Sequence, residues 1–377
     1  MELSAPACVL ADAISLASAI RPGVNSPCIA HLATTGDVVS IRCTDNTVGT
    51  IETSVSAMIH EQGETAVSTG RLAALVSSFA PDAVVEIETT TRSINVVCGS
   101  SRSRLPTVPV SELPAAVAID HEIGRSEITC AECLRLLEPL AVADAGRSRF
   151  YLAGVFWHSL HDQLVAVSTD GVRLIRTSVP APTFSVDRSL IVATEVASAL
   201  RRLLHKADAS RVTLRRSRSL IAFDAPSFSF TARLIDSSFP TYESFIPTAA
   251  SNSVLCNRLD LLAALSRLSA AAPSNDTALI ALSWGNGRCL DLHLARCPLD
   301  GADVIAAEVR GSTEIALSLP QLAALLKEFS GDHIQLETDN EQPLVIRGAG
   351  EKLALIVRSK WNFGASTSIT PRGREHH

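Results

Sequence analysis

The 377-residue chain has no surplus of positive charge: 33 Lys and Arg stand against 39 Asp and Glu, a formal net charge of −6. A global attraction to nucleic acid or to an anionic membrane is thereby excluded, and any such attraction must be local. No run of about 18 uncharged apolar residues occurs, which argues against a membrane-spanning helix. The stretch from Met1 to Ile20 is apolar enough to imitate a secretory signal, but it lacks a basic start and is interrupted by Asp12, so it reads as a helix. Nine cysteines are scattered without a dense framework, which excludes a secreted disulfide scaffold and suits a reducing cytoplasm.

Signatures of catalysis are equally scarce. There is no nucleophile elbow, no phosphate-binding loop and no glycine-rich dinucleotide fingerprint. Cys130 and Cys133 form one CxxC without a second pair, which favours inert thiols over a zinc site. His158 and His161, three apart in a β-like region, would fall on opposite faces of a regular strand. The expectation is a non-enzyme with no cofactor, no metal and no catalytic residue, an enzyme being the remote alternative.

What the chain does have is ample apolar material, 46% of residues, enough for two or three domains. It also has a period. Leu72, Leu75, Val76 and Phe79 follow the i, i+3, i+4, i+7 template of an amphipathic helix, as do Val196, Ala199, Leu200 and Leu203, and again Leu322, Leu325, Leu326 and Phe329. Each set is preceded by another apolar helical stretch: VLADAISLASAI, CLRLLEPLAVA and LDLLAALSRLSAAA. From Leu10 to Leu72 is 62 residues, from Leu134 to Val196 is 62, and from Leu259 to Leu322 is 63. A fixed offset held three times outweighs the alternative of three unrelated α+β domains. After each second helix comes a pair of β-like runs around a polar turn, beginning at Val84, Arg211 and His333.

Each unit therefore reads helix, strands, helix, strands, with polar joints near 123 and 250. The expected organisation is three domains, 1–123, 124–250 and 251–363, followed by 364–377 as a disordered tail or an expression remnant. A helix pair backed by antiparallel sheet buries one face and leaves the other for solvent or a ligand. Across the six helices, with Arg21 counted at the end of the first, nine basic residues meet six acidic ones, a local reversal of the chain's overall sign.

Several strings carry a resemblance. They are RPGVNSP from Arg21, the pair Thr44 and Asp45, RFYLAGVFW from Arg149, STDGVRL from Ser168, and LIDSSFPTYESFIP from Leu234. Together and in this order the chain resembles the bacterial DNA polymerase III beta subunit, or beta sliding clamp, family from its start to Phe363. The resemblance implies an α+β protein of three clamp domains, closed as a head-to-tail homodimer around double-stranded DNA. It implies a processivity factor that tethers a DNA polymerase and meets the clamp loader through short linear peptides, with no membrane partner.

Size agrees with that implication. A domain of 125 residues is about 35 Å wide, so six around a circle leave an opening of about 30 Å. A B-form duplex needs roughly 20 Å. The residues expected to face phosphate are Arg21, Arg71, Arg201, Arg202, Lys206 and Lys327, with Glu195 weakening the basic surface. The expected peptide pocket comprises Leu152, Thr169, Gly171, Val172, Arg173, Leu174, Pro240 and Ile246 together with Leu355, Ile356, Val357 and Arg358 of the last strand. An apolar groove there would take a Leu or Phe anchor while Arg173 fixed the peptide's polar atoms. Val172 stands where many members have histidine, and Val357, Arg358 and Ser359 replace a Met-Pro-Met type ending. These departures raise a specialised plasmid-, phage- or resistance-linked paralogue as the alternative reading. Small residues at the expected ring-closing edges, Ser103, Leu105, Ala272 and Pro273, lead to the expectation of a weak dimer.

Overall fold

The computed structural model describes residues 1–20, 28–144, 146–180, 189–247, 250–272, 277–285, 287–295, 301–339, 342–348, 350 and 352–359. Arg21 and its string, Pro273, the chain end after Ser359 and hence the expected tail lie outside the described residues. The protein divides into two compact units, one from Met1 to Pro240 and one from Thr241 onward.

Six α-helices occur among the described residues: α1 (Ala7–Ala17), α2 (Thr69–Val76), α3 (Cys130–Leu136), α4 (Thr194–Lys206), α5 (Arg258–Ala271) and α6 (Leu319–Lys327). They pack as pairs, α1 with α2, α3 with α4 and α5 with α6. Every helix starts at the end of a strand, and the element order recurs. Four strands follow the first helix of each pair, the last of them leading into the second helix, and three follow the second, with one extra short strand, Met58–Glu61, in the first pass. The sequence period is therefore visible as architecture.

Local chemistry sets the helix ends. Thr129 and Glu132 form a reciprocal cap on α3: the Glu132 amide donates to Thr129 Oγ1 at 3.1 Å and the Thr129 amide to Glu132 Oε2 at 2.8 Å. Asn257 Oδ1 caps α5 by accepting from the Leu259 and Asp260 amides. Helix α4 buries Val196, Ala197, Ala199, Leu200, Leu203 and Leu204, which is the stripe its spacing predicts, and carries Glu195 in its first turn and Lys206 in its last. The stretch CLRLLEPLAVA is not one helix. α3 ends at Leu136 and a 3-10 turn takes over from Glu138 to Val142, because Pro139 supplies no amide for an α-helical bond.

In the first unit a thirteen-stranded sheet joins the first and second passes. The joint is a ladder between Phe228–Arg233 and Gly49–Ser56, with Ala232 opposite Gly49 and Phe230 opposite Ile51. Gly49 has φ +141°, and a Cβ there would come within 2.1 Å of the Thr231 carbonyl oxygen, so only glycine admits this close approach. One apolar cluster spans the joint, placing Leu16, Ile20 and Ile51 with Leu200, Leu203 and Phe230. A separate cluster under α1 and α2 contains Leu10, Ile14, Leu72 and Val76. Full burial of each such Leu or Ile contributes about 1.5–3 kcal/mol. A second sheet holds Leu190–Ala193, Gly154–Leu160, Gln163–Thr169 and Arg173–Pro180 in this unit. In the unit from Thr241 an antiparallel ladder runs from Leu353–Ile356 through Leu344–Arg347, His333–Thr338, Asn252–Asn257 and Ala302–Arg310 to Cys289–Ala295, Leu279–Trp284 and Thr313–Ser318.

Candidate partner surface and helix-borne cations

The STDGVRL string ends one strand, turns, and begins the next. Asp170 Oδ1 accepts from the Val172 amide at 2.9 Å and the Arg173 amide at 2.7 Å, closing an Asx turn. Thr169 Oγ1 donates to the Arg173 carbonyl at 2.6 Å and accepts from the Gly171 amide at 3.0 Å. Gly171 takes φ +86°, the conformation this tight turn needs. Asp170 Oδ2 then receives both Arg173 Nε, at 2.9 Å, and Arg173 Nη2, at 2.7 Å. Burial acts to raise the Asp170 carboxyl, but the bonds from the Arg173 and Val172 amides and the Arg173 guanidinium prevail and hold it below its ordinary value.

The turn also gives Arg173 and Leu174 structural tasks. Arg173 is ion-paired with Asp170 and Leu174 is 5% exposed. The side chain presented to solvent is Val172, at 42%. The RFYLAG string is brought to the same turn: Arg149 Nη1 lies 2.7 Å from where a Gly171 Cβ would stand, while Arg149 Nη2 pairs with Asp144 at 2.8 Å. Leu152 is buried at the end of that 3-10 segment, whose Phe150 is 56% exposed. Pro240 is exposed, and its neighbour Phe239 stacks on Phe156 at 4.6 Å, which in turn stacks on His158. His161 is not on the strand at all. It occupies the turn after Gly154–Leu160 with φ +53°.

The remaining pocket candidates belong to the unit that begins at Thr241. Ile246 is half-buried. Leu355 and Ile356 are buried in the strand Leu353–Ile356, opposite Val345 and Leu344. Among the described residues of that strand's continuation, Val357, 48% exposed, offers the open apolar surface. Arg358 Nη2 donates to the Glu314 carbonyl at 2.8 Å and the Ser359 amide to Ala316 at 2.8 Å, so this segment is fastened along Thr313–Ser318.

Of the expected phosphate-facing cations, Arg71, Arg201 and Lys327 are exposed. Arg202 and Lys206 differ from that expectation, since they serve α1. Arg202 Nε and Nη2 donate to the Ala19 carbonyl at 2.9 and 2.7 Å, and Lys206 Nζ to Ser15 Oγ at 2.8 Å and the Ser15 carbonyl at 3.2 Å. Cations at the carboxyl end of a helix satisfy orphan carbonyls and oppose its dipole. Sequence spacing misses this because the two partners are more than 180 residues apart. Glu195 Oε2 accepts from Thr194 Oγ1 at 2.9 Å. The CxxC cysteines carry raised pKa values: burial pushes up both Cys130 and Cys133, the latter fully enclosed. Among the described residues no group of three His, Cys, Asp or Glu is placed to hold a metal ion. No helix among them is long and apolar enough to cross a membrane.

The fold is that of the sliding clamps. A sliding clamp from Bartonella birtlesii bound to griselimycin superposes with a TM-score of 0.88, at 22% identity over 96% of this chain and 100% of that one. The DNA polymerase III subunit beta of Pseudomonas aeruginosa gives 0.88 at 23% identity over the same shares. The model of the DNA polymerase III beta subunit central domain matches residues 129–241. The beta sliding clamp of Pseudomonas putida is 28% identical over 306 residues, 77% of this chain and 79% of that protein. That of Synechococcus elongatus is 24% identical over 347 residues, 89% and 92% of the two chains. The chain is thus similar to beta sliding clamps over most of its length, and its middle part matches the central domain of the DNA polymerase III beta subunit.

Proposed function

We propose that the protein is a DNA sliding clamp, a processivity factor that encircles duplex DNA and tethers a replicative polymerase and other replication or repair proteins to it. One observation carries this reading: strand, helix, three strands, strand, helix, three strands recurs through the described chain, and three such passes per subunit make two subunits the smallest ring wide enough for a duplex. The passes correspond to domains 1–123, 124–250 and 251–363. The role is mechanical and non-catalytic, and suits a cytoplasmic homodimer. Its dimer is weak, because Ser103, Leu105 and Ala272 offer little apolar bulk. Sedimentation as a tight dimer at nanomolar concentration contradicts that last point.

Contact with DNA rests on point charges that do not read base edges, giving salt-sensitive, sequence-independent attraction compatible with sliding. Arg71, Arg201 and Lys327 are its principal carriers, joined by Arg21. Arg202 and Lys206 act chiefly by fixing α1, and add positive potential. The surface beside Thr169, Gly171 and Val172, with Leu152, Leu174 and Pro240, accepts short linear peptides. Within it Arg173 is a positioning residue held by Asp170. Peptide polar atoms therefore meet backbone groups and the outer edge of its guanidinium.

The test is binding of a clamp-binding consensus peptide to wild type, Arg173→Ala and Leu174→Ala. Micromolar affinity lost in both variants supports the general processivity role. No binding to wild type favours the specialised paralogue, a second reading motivated by exposed Val172 and Val357 and by the fastening of Arg358 to Glu314.

A further inference from the structure

Cys28 and Cys43 lie together in the first pass. Ala30 stands opposite Cys43 in the ladder between Ile29–Thr35 and Val38–Asp45, which puts Cys28, just ahead of the strand, diagonal to Cys43. Both converge on Thr69 at the start of α2. Its amide donates to the Cys28 carbonyl at 2.9 Å and its Oγ1 is 3.4 Å from Cys43 Sγ. Cys43 is 1% exposed, whereas Cys28 is partly exposed on the wall of a partly open cavity of about 400 Å³ shared with His31, Arg42 and Asp45. That volume admits a small peroxide many times over, given about 30 Å³ per water. One thiol thus meets solvent and its neighbour is sealed behind it.

We propose that Cys28 is a site of oxidative modification, with Cys43 as the thiol that resolves it to a disulfide. The Cys28 thiolate attacks one oxygen of hydrogen peroxide; the O–O bond breaks, hydroxide leaves and takes a proton to become water, and Cys28 is a sulfenic acid. The Cys43 sulfur then attacks the Cys28 sulfur, the S–O bond breaks, and the departing hydroxyl takes the Cys43 proton as a second water. Two thiols have lost two electrons and one peroxide has gained them. The pair is poised for this order. Hydrogen bonding from the Cys43 thiol, assisted by Thr69 and opposed by burial and by Asp45, brings Cys28 down to about 7. Cys43 is held well above the ordinary thiol range by its bond to Cys28 and by its burial.

The experiment exposes the full-length protein to hydrogen peroxide at pH 7, blocks remaining thiols with N-ethylmaleimide and maps peptides by mass without reduction. A half-ionised thiol gains about fiftyfold in thiolate over an ordinary one and loses about eightfold in intrinsic nucleophilicity. Cys28 is therefore consumed about sixfold faster than the half-buried thiols Cys8, Cys98, Cys130 and Cys289, and is recovered linked to Cys43. Cys28→Ser abolishes the linked peptide. Cys43→Ala leaves a Cys28 sulfenic acid that dimedone traps. Wild-type Cys28 reacting no faster than the other four, or reacting without linkage to Cys43, overturns the proposal, and neither reading depends on a variant folding.

Discussion

Two turns 125 residues apart, at Asp45 and at Asp170, are built alike and used differently. Each follows a threonine, and in each the aspartate Oδ1 accepts from the amides two and three positions ahead: Thr47 and Val48 in one, Val172 and Arg173 in the other. Burial tends to raise both carboxyls and hydrogen bonds lower both, the Thr47 hydroxyl and amide leading for Asp45 and the Arg173 and Val172 amides for Asp170. The difference lies downstream. Four residues after Asp45 comes Gly49, which admits the Thr231 backbone and lets the sheet continue into the next pass. Four after Asp170 comes buried Leu174, preceded by an arginine that the aspartate holds and a solvent-exposed valine. The turn itself is scaffold; what the neighbouring positions carry decides whether it becomes a seam or a surface.

Substitutions at the two glycines break the comparison most sharply. Gly49→Ala combines a strained φ with a clash against backbone that cannot yield, and should cost about 3–5 kcal/mol, read as a lower denaturant midpoint or as failure to fold. Gly171→Ala meets only the movable end of Arg149 and should cost about 1–2 kcal/mol. Next in size, Asp170→Ala removes two amide acceptors and leaves a mostly buried guanidinium unpaired, for about 2–3 kcal/mol. Asp45→Ala has no arginine to strand and should cost about 1 kcal/mol. Equal losses at the two aspartates would show that Arg173 adds nothing to its turn.

Acid sharpens the same contrast. Asp170 has a depressed folded pKa, so its contribution is present above the ordinary carboxylate value near 4 and is lost as pH falls through the lower folded value. Asp170→Asn should therefore trail wild type at neutral pH and converge with it in acid, in urea titrations followed from pH 7 to pH 3. The smallest effect is expected at Arg202. Arg202→Ala removes the two bonds to Ala19 and should cost about 1 kcal/mol, with salt-dependent DNA binding reduced less than by Arg201→Ala.

Much of the fold was legible in the chain because amphipathic spacing is local. The six helix stripes at their offsets of 62 or 63 residues, and the hairpins beginning at Val84, Arg211 and His333, fall where hydrophobic periodicity places them. The break at Pro139 was equally readable from its missing amide. The site was less so. That Asp170 and Arg173 pair across a glycine turn is implied by their spacing of three and their opposite charges, a signal obscured by treating the arginine as a ligand group. The roles of Arg202, Lys206 and Arg149 depend on neighbours brought in by tertiary packing, which no pattern along the chain encodes. Burial of Leu355 and Ile356 likewise follows from ladder partners at 344 and 345.

The reading as a clamp is tested most directly by retention on DNA. Protein loaded onto nicked circular duplex is passed through a sizing column at 0.5 M salt or so, where phosphate attraction is largely screened, and the same plasmid is linearised in a parallel sample. The account predicts that the protein stays with the circle and is lost from the linear form. Equal loss from both, or retention on both that falls with salt alike, would contradict it.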